Sequence, residues 1–275
     1  MKFRERWEAT MTTRVEVQDK TVTLNGLRFH YRDWPNQGAR PLRSWDTFAA
    51  AMQEKYWVLA PDQRGHGETE WAQDYGPDRM VEDVDAFVRA LELPKFVLLG
   101  LSMGGRNAYG YASTHPHTLG KLVIVDIGPE IVPAGSDRIR SGVQSRDVFD
   151  APEEAFQAAR AANPRPPDSE LRHRVTNNLM QLPDGKWTFR YDKALRAPDR
   201  PLPRPDPSQT WALLPKIDCP TLLIRGAESD VLGRDTADRM VRDIPDCRMI
   251  EVPNSGHSVP LDNPTGFLET VQQFL

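Results

Sequence analysis

The sequence predicts the α/β class: a mostly parallel sheet flanked by helices, with a helical lid inserted in its second half. Short apolar runs alternate with segments of helical spacing along most of the 275 residues, the pattern of strands that return through crossover helices. A Gly-x-Ser-x-Gly pentapeptide stands between one such run and one such helix. The stretch 131–210 breaks the alternation and holds nearly half of the 24 prolines together with many arginines. These observations assign residues 1–130 and 211–275 to the core and 131–210 to the lid.

Taken in order, early strands are expected at 13–17 and 27–31. The run 56–60 reads as a buried strand ending at Pro61-Asp62. Over 77–91 the helical period places Met80, Val84, Phe87, Val88 and Leu91 on one face. A strand at 96–99 precedes the pentapeptide and a helix over 103–113 follows it. Further buried strands are expected at 122–125, 221–224 and 249–252. A closing helix over 264–275 carries Phe267, Leu268, Val271 and Phe274 as its apolar stripe. Within the lid, 151–162 and 170–179 have helical spacing, whereas Asn163-Pro164-Arg165-Pro166-Pro167 and 197–207 read as loops. Trp187, Phe189 and Tyr191 give this region more aromatic content than a disordered segment carries.

The formal net charge of −4 makes nucleic acid and acidic membranes poor partners. Glu5, Arg6 and Glu8 interrupt the first residues, so no secretory signal is read there. No apolar run is long enough to span a bilayer, and a cytoplasmic protein is expected. Cys219 and Cys247 read as two reduced thiols without metal-site spacing, and no metal is expected. A homo-oligomer is compatible with everything above.

The pentapeptide Gly100-Leu101-Ser102-Met103-Gly104 has the form of a sharp strand-to-helix turn that holds a serine in a strained conformation and lifts its hydroxyl clear of the sheet. Serine is a weak nucleophile and needs a neighbouring base. His257, in Asn254-Ser255-Gly256-His257-Ser258 after a predicted strand, is the candidate among six histidines. His30, His66, His115, His117 and His173 read as structural, solvated or remote. An acid must fix the base's tautomer. Asp230 is the candidate, because it lies beyond the strand 221–224 and completes the chain order Ser, Asp, His. Glu130 is the alternative acid, and Glu228 a weaker one. The backbone N–H of Met103, at the helix start, is the expected oxyanion donor.

Together these residues resemble the α/β-hydrolase family, and in particular its lid-bearing serine hydrolases. The likeness runs from Trp45 to Leu275 and rests on Asp62-Gln63-Arg64-Gly65-His66-Gly67 after a strand, the turn at Ser102, Gly226 to Asp230, and Gly256-His257. It implies an eight-stranded, mainly parallel sheet, a lid between strands six and seven, and no cofactor. It also implies hydrolysis of a small-molecule ester or lactone through an acyl-enzyme. Dehalogenases and epoxide hydrolases of this fold carry aspartate where this chain has Ser102, which disfavours both. A cofactor-free haloperoxidase would use the same three residues.

The chain departs from the family pattern at one place. Gly38-Ala39-Arg40-Pro41-Leu42 runs directly into Arg43-Ser44-Trp45-Asp46. The family carries there an apolar strand ending in His-Gly, whose loop supplies a second oxyanion donor. That donor is unassigned here, and a short deleted or omitted segment is the expected explanation. The departure also raises an alternative function, a catalytically impaired small-molecule-binding protein on the same scaffold. The lid arginines Arg138, Arg140, Arg172 and Arg174 are expected on a solvated face.

Overall fold

The computed structural model describes residues 17–35, 45–144, 146–197 and 206–275. The chain opens on an antiparallel pair, β1 (Gln18–Leu24) and β2 (Leu27–Trp34). Asn25 and Gly26 join them with φ of 49° and 80°, the positive values that let a two-residue turn match the strand twist. The sequence reading left 18–24 unassigned; of its strand at 13–17, residues 13–16 lie outside the described residues. Helix α1 (Asp46–Met52) leads to β3 (Val58–Pro61), which pairs antiparallel with β2. There follow α2 (Pro77–Ala90), β4 (Phe96–Leu101), α3 (Met103–Thr114) and β5 (Leu119–Val125).

Beyond β5 the chain leaves the central layer. It forms α4 (Pro133–Gln144), β6 (Val148–Phe149), α5 (Pro152–Ala162), α6 (Asp168–Asn178), β7 (Leu179–Gln181), β8 (Trp187–Phe189) and α7 (Pro207–Trp211). Most of the expected loop at 197–207 lies outside the described residues. The chain returns as β9 (Thr221–Gly226), α8 (Arg234–Asp243), β10 (Cys247–Val252), α9 (Val259–Asp262) and α10 (Pro264–Phe274).

The central layer is a parallel sheet in the order β10-β9-β5-β4. Its inner strands are apolar on both faces because helices cover both. Leu122, Ile124 and Leu223 pack on one side with Ala108, Tyr111, Ala237 and Met240. Val123, Val125, Leu222 and Ile224 pack on the other with Phe267, Val271 and the ring of Phe48. Residues 122–125 and 222–224 are fully buried, each contributing about 1.5–3 kcal/mol of transfer free energy.

The single eight-stranded sheet implied by the family resemblance is not what the described residues form. β1, β2 and β3 make a separate three-stranded sheet. Among the described residues no strand bridges β3 and β4, so each has one unpaired edge. Residues 96–99 of β4 are accordingly only half-buried, although residues 122–125 of the neighbouring β5 are fully so. The sequence offers no further apolar run between β2 and α1, and residues 36–44, where the departure from the family pattern falls, lie outside the described ones.

The segment inserted between β5 and β9 has its own small sheet, β6-β8-β7, and its own cluster of Phe149, Ala155, Phe156, Leu171, Val175 and Leu179. It is sewn to the core at the turn 62–67. Gly67 N donates to Arg190 O at 2.9 Å and Asp192 N to Gly65 O at 2.7 Å, while Tyr75 Oη donates to the Asp192 carboxylate. The apolar stripe of α2 packs as its spacing predicts, with one addition. Asp83 is buried on that helix because Arg64, from the same turn, reaches it through Nε at 2.5 Å and Nη2 at 2.7 Å. Asn25 Nδ2 also donates to it at 2.9 Å. The two charged side chains are only 5% and 8% exposed. Removing one partner of such a pair strands the other charge. Asp83→Asn is therefore expected to lower unfolding free energy by about 3 kcal/mol, read as a shift in the urea midpoint at unchanged slope.

Candidate active site

Strand pairing sets the frame. β4 and β5 run in parallel register with Leu101 opposite Val125, so the next residue on each, Ser102 and Asp126, leaves the same end of the sheet. Ser102 N donates back to Val125 O at 3.0 Å and Asp126 N to Ile224 O at 2.8 Å. Ser102 sits at φ 54° and ψ −119°, a conformation that costs an L-residue about 1–3 kcal/mol. The turn closes so tightly that a Cβ on Gly100 would stand 2.2 Å from Gly104 O.

His257 comes from the loop between β10 and α9. Its Nε2 lies 2.9 Å from Ser102 Oγ. Its Nδ1 lies 2.9 Å from Asp126 Oδ2. The imidazole is 15% exposed and Asp126 is 0% exposed. Asp126 also accepts Gly226 N–H at 2.9 Å and the Ser229 hydroxyl at 2.6 Å. Ser229 Oγ is aimed by two backbone donors, Val231 N and Leu232 N, each at 3.1 Å. A carboxylate only accepts, so its contact places the imidazole proton on Nδ1 and leaves Nε2 free to take the serine proton.

The expectation for the acid is corrected here. Asp230 does not reach His257 as a hydrogen-bond partner. Arg138 holds its carboxylate in a two-pronged contact, Nε to Oδ2 at 2.5 Å and Nη2 to Oδ1 at 2.8 Å. That guanidinium keeps the Asp230 carboxyl below the usual carboxylate range. Glu130 is spent on Trp211 Nε1 at 2.8 Å, and Glu228 on Arg165. The loop expected to supply the acid instead supplies hydrogen-bond donors to Asp126, namely Gly226 N–H and Ser229. The chain order Ser, Asp, His could not separate Asp126 from Asp230, since both satisfy it. The available signal was position: Asp126 is the first residue beyond the apolar run 122–125.

Met103 is the first residue of α3, where a backbone N–H has no intrahelical acceptor. Above the serine turn opens a cavity of about 640 Å³, with Met103 and Ser258 on the core side and Leu171, Val175, Phe189 and Tyr191 on the insertion side. Trp187 does not line it; it packs on the insertion's own cluster. His66 lines the cavity too, with Nδ1 3.0 Å from Arg64 O, and burial pushes its pKa down. Cys219 and Cys247 are unbridged. Among the described residues no group of three or more His, Cys, Asp or Glu side chains is placed to hold a metal ion. No described helix is long and apolar enough to cross a membrane.

Comparison with known proteins gives the same class. Residues 22–270 match the profile of the alpha/beta hydrolase family, and the chain belongs to that family. Among its relatives, the 3-hydroxybutyrate-oligomer hydrolase of Cupriavidus necator is 30% identical over 236 residues, covering 81% of this chain and 80% of that protein. Esterase Rv0045c of Mycobacterium tuberculosis is 30% identical over 250 residues, covering 86% and 80%. The crystal structure of an alpha/beta hydrolase from Novosphingobium aromaticivorans superposes with a TM-score of 0.79 at 26% identity, over 94% of this chain and 98% of that one.

The strain at Ser102 has a measurable consequence. Glycine tolerates positive φ without penalty, so Ser102→Gly is expected to be more stable than Ser102→Ala by about 1 kcal/mol, despite glycine's greater chain entropy. Paired denaturation curves of the two variants measure the difference.

Proposed function

We propose that this chain is a serine hydrolase that cleaves a carboxylic ester or lactone of a small molecule through an acyl-enzyme. One observation carries the reading: a single imidazole spans a strained serine hydroxyl and a solvent-free carboxylate, at 2.9 Å on each side. Relatives named as an esterase and an oligomer hydrolase add support.

In the proposed reaction Ser102 Oγ attacks the carbonyl carbon while its proton passes to His257 Nε2. Asp126 holds the ring and stabilises the imidazolium. The Met103 N–H at the start of α3 donates to the oxyanion. Collapse of the tetrahedral adduct expels the leaving alkoxide, which takes the proton from His257. Water, deprotonated by the same nitrogen, then attacks the acyl-serine and releases the acid. The stretch in which the family places its second oxyanion donor falls among residues outside the described ones, so only the Met103 donor enters this account.

The split between β3 and β4 favours a second reading, a binding protein that retains the cavity without the chemistry. A fluorophosphonate separates the two, since only an activated serine is labelled. Labelling that disappears in Ser102→Ala supports the hydrolase, and no labelling of the wild type rejects it.

The two aspartates give a sharper test. Asp126→Asn is expected to lower kcat on a p-nitrophenyl ester by about 10⁴-fold, because the amide favours the wrong tautomer. Asp230→Asn removes only an exposed ion pair, and about a threefold change is the most such a pair accounts for. The reverse ranking would reinstate Asp230 as the acid.

A further inference from the structure

Five arginines line the cavity: Arg32, Arg138, Arg174, Arg190 and Arg196. Four have evident partners. Arg32 pairs with Asp19 at 2.9 Å and Asp46 at 3.3 Å. Arg138 pairs with Asp230. Arg190 Nε donates to Leu179 O at 2.8 Å. Arg196 lies over the Tyr191 ring, 4.3 Å from its centroid. Arg174 differs. Among the described residues its guanidinium has no ion pair and no hydrogen bond, and only its backbone carbonyl is engaged, by Asn178 Nδ2. Asp262 is the carboxylate whose field reaches it. Both Asp262 oxygens are already committed, Oδ1 to Asn163 Nδ2 at 2.7 Å and Oδ2 to Gly256 N at 2.9 Å.

The surroundings of Arg174 make this state costly. It sits on α6 between Leu171 and Val175, with which it shares the cavity wall. Burial pulls its pKa below the ordinary arginine value, although a guanidinium stays charged near neutrality. A part-buried guanidinium with no direct ion pair or hydrogen bond is left under-compensated, and a ligand carboxylate would supply the missing contact. The guanidinium is a planar fork matched to a carboxylate, and the pairing strengthens where water is scarce.

We propose that Arg174 anchors a carboxylate of the substrate, so that the preferred substrates are short acyl compounds bearing an acid group away from the scissile carbonyl. The substrate half of this inference rests on the serine-hydrolase reading; the anion site does not. A neutral analogue of equal length leaves the guanidinium without a partner, and sites built around a polar group discriminate strongly against ligands that lack its complement.

The test compares monoethyl glutarate with ethyl pentanoate, which differ in whether the chain ends in an acid or a methyl group. Acid release is followed in a pH-stat. The wild type is expected to prefer the acid ester by about 10²-fold in kcat/KM. In Arg174→Met that preference collapses to near one, chiefly through KM, while Arg174→Lys keeps part of it. Equal turnover of the two esters by the wild type, or a preference that survives in Arg174→Met, overturns the proposal. Calorimetry with malonate, succinate, glutarate and adipate on Ser102→Ala gives a readout free of turnover. Binding of at least one that is lost in Ser102→Ala/Arg174→Met supports the anion site, and binding of none overturns it. If the dicarboxylate binds through Arg174 but no ester is turned over and Ser102 resists fluorophosphonate, the anion site stands and the hydrolase reading falls.

Discussion

A carboxylate closed off from solvent must have its charge met by donors, and around Asp126 those donors come from three parts of the chain. Gly226 N–H and Ser229 belong to the end of β9 and the loop after it, and His257 to the loop after β10. Asp126 itself sits at φ 49° at the end of β5. One buried side chain thus fixes the relative positions of three strand ends, and the serine turn of β4 is tied to the same point through Ser102 N and Val125 O. Losing any donor would leave the charge less compensated in a region of low polarisability, where each missing hydrogen bond is expensive. The loop approach is close enough to require glycine: a Cβ on Gly226 would stand 2.1 Å from Gly256 O.

The second constraint is the division of the strands. In an uninterrupted parallel sheet both neighbours of β4 would cover its backbone. Here β5 covers one side, and the described residues leave the other side and the facing edge of β3 unpaired. Contact between the two parts runs instead through α2, whose Phe87 packs edge-on against Tyr31 of β2 at 5.2 Å between ring centroids, and through the turn after β3. Asn107 Nδ2 on α3 donates to Gln63 Oε1 at 2.8 Å, and Arg64 grips α2 through Asp83. Polar side chains of this turn and the apolar packing of α2 therefore perform together the joining that backbone ladders perform elsewhere in the molecule. That turn is also one of the places where the insertion is fastened, together with Arg138 on Asp230 and Asn163 on Asp262.

Much of this was legible in the sequence. The run Phe96 to Leu99, the small residues around Ser102 and the following helix define their elements by local sterics alone. The double-sided apolar runs at 122–125 and 221–224 announced buried parallel strands. His257 was legible because it follows a strand in a glycine turn. The identity of its acidic partner was not, because order along a chain carries no information about which of two aspartates the strand register brings alongside. The burial of Asp83 on α2 was not legible either, since its partner Arg64 comes from elsewhere in the chain. The arginines of the insertion were indistinguishable by composition. Arg138 and Arg172 do find carboxylates, Asp230 and Glu153, whereas Arg174 turns into the cavity; the side chain of Arg140 lies outside the described residues. Pairing of this kind is settled by three-dimensional placement and leaves no trace in spacing.

The register of β4 against β5 has a consequence for how molecules of this protein can be counted. Ser102 and Asp126 each stand one residue beyond the pair Leu101 and Val125, and His257 reaches both only if β9 and β10 are aligned as well, with Gly226 beside Val252. A slip of one residue between any two of these strands turns every side chain of the slipped strand to the opposite face and separates the three groups at the same stroke. On the serine-hydrolase reading, molecules with the wrong alignment are silent rather than slow. Titrating reactive serine against total protein would read as a census of correctly registered sheets, reporting on assembly of the core through a single hydroxyl.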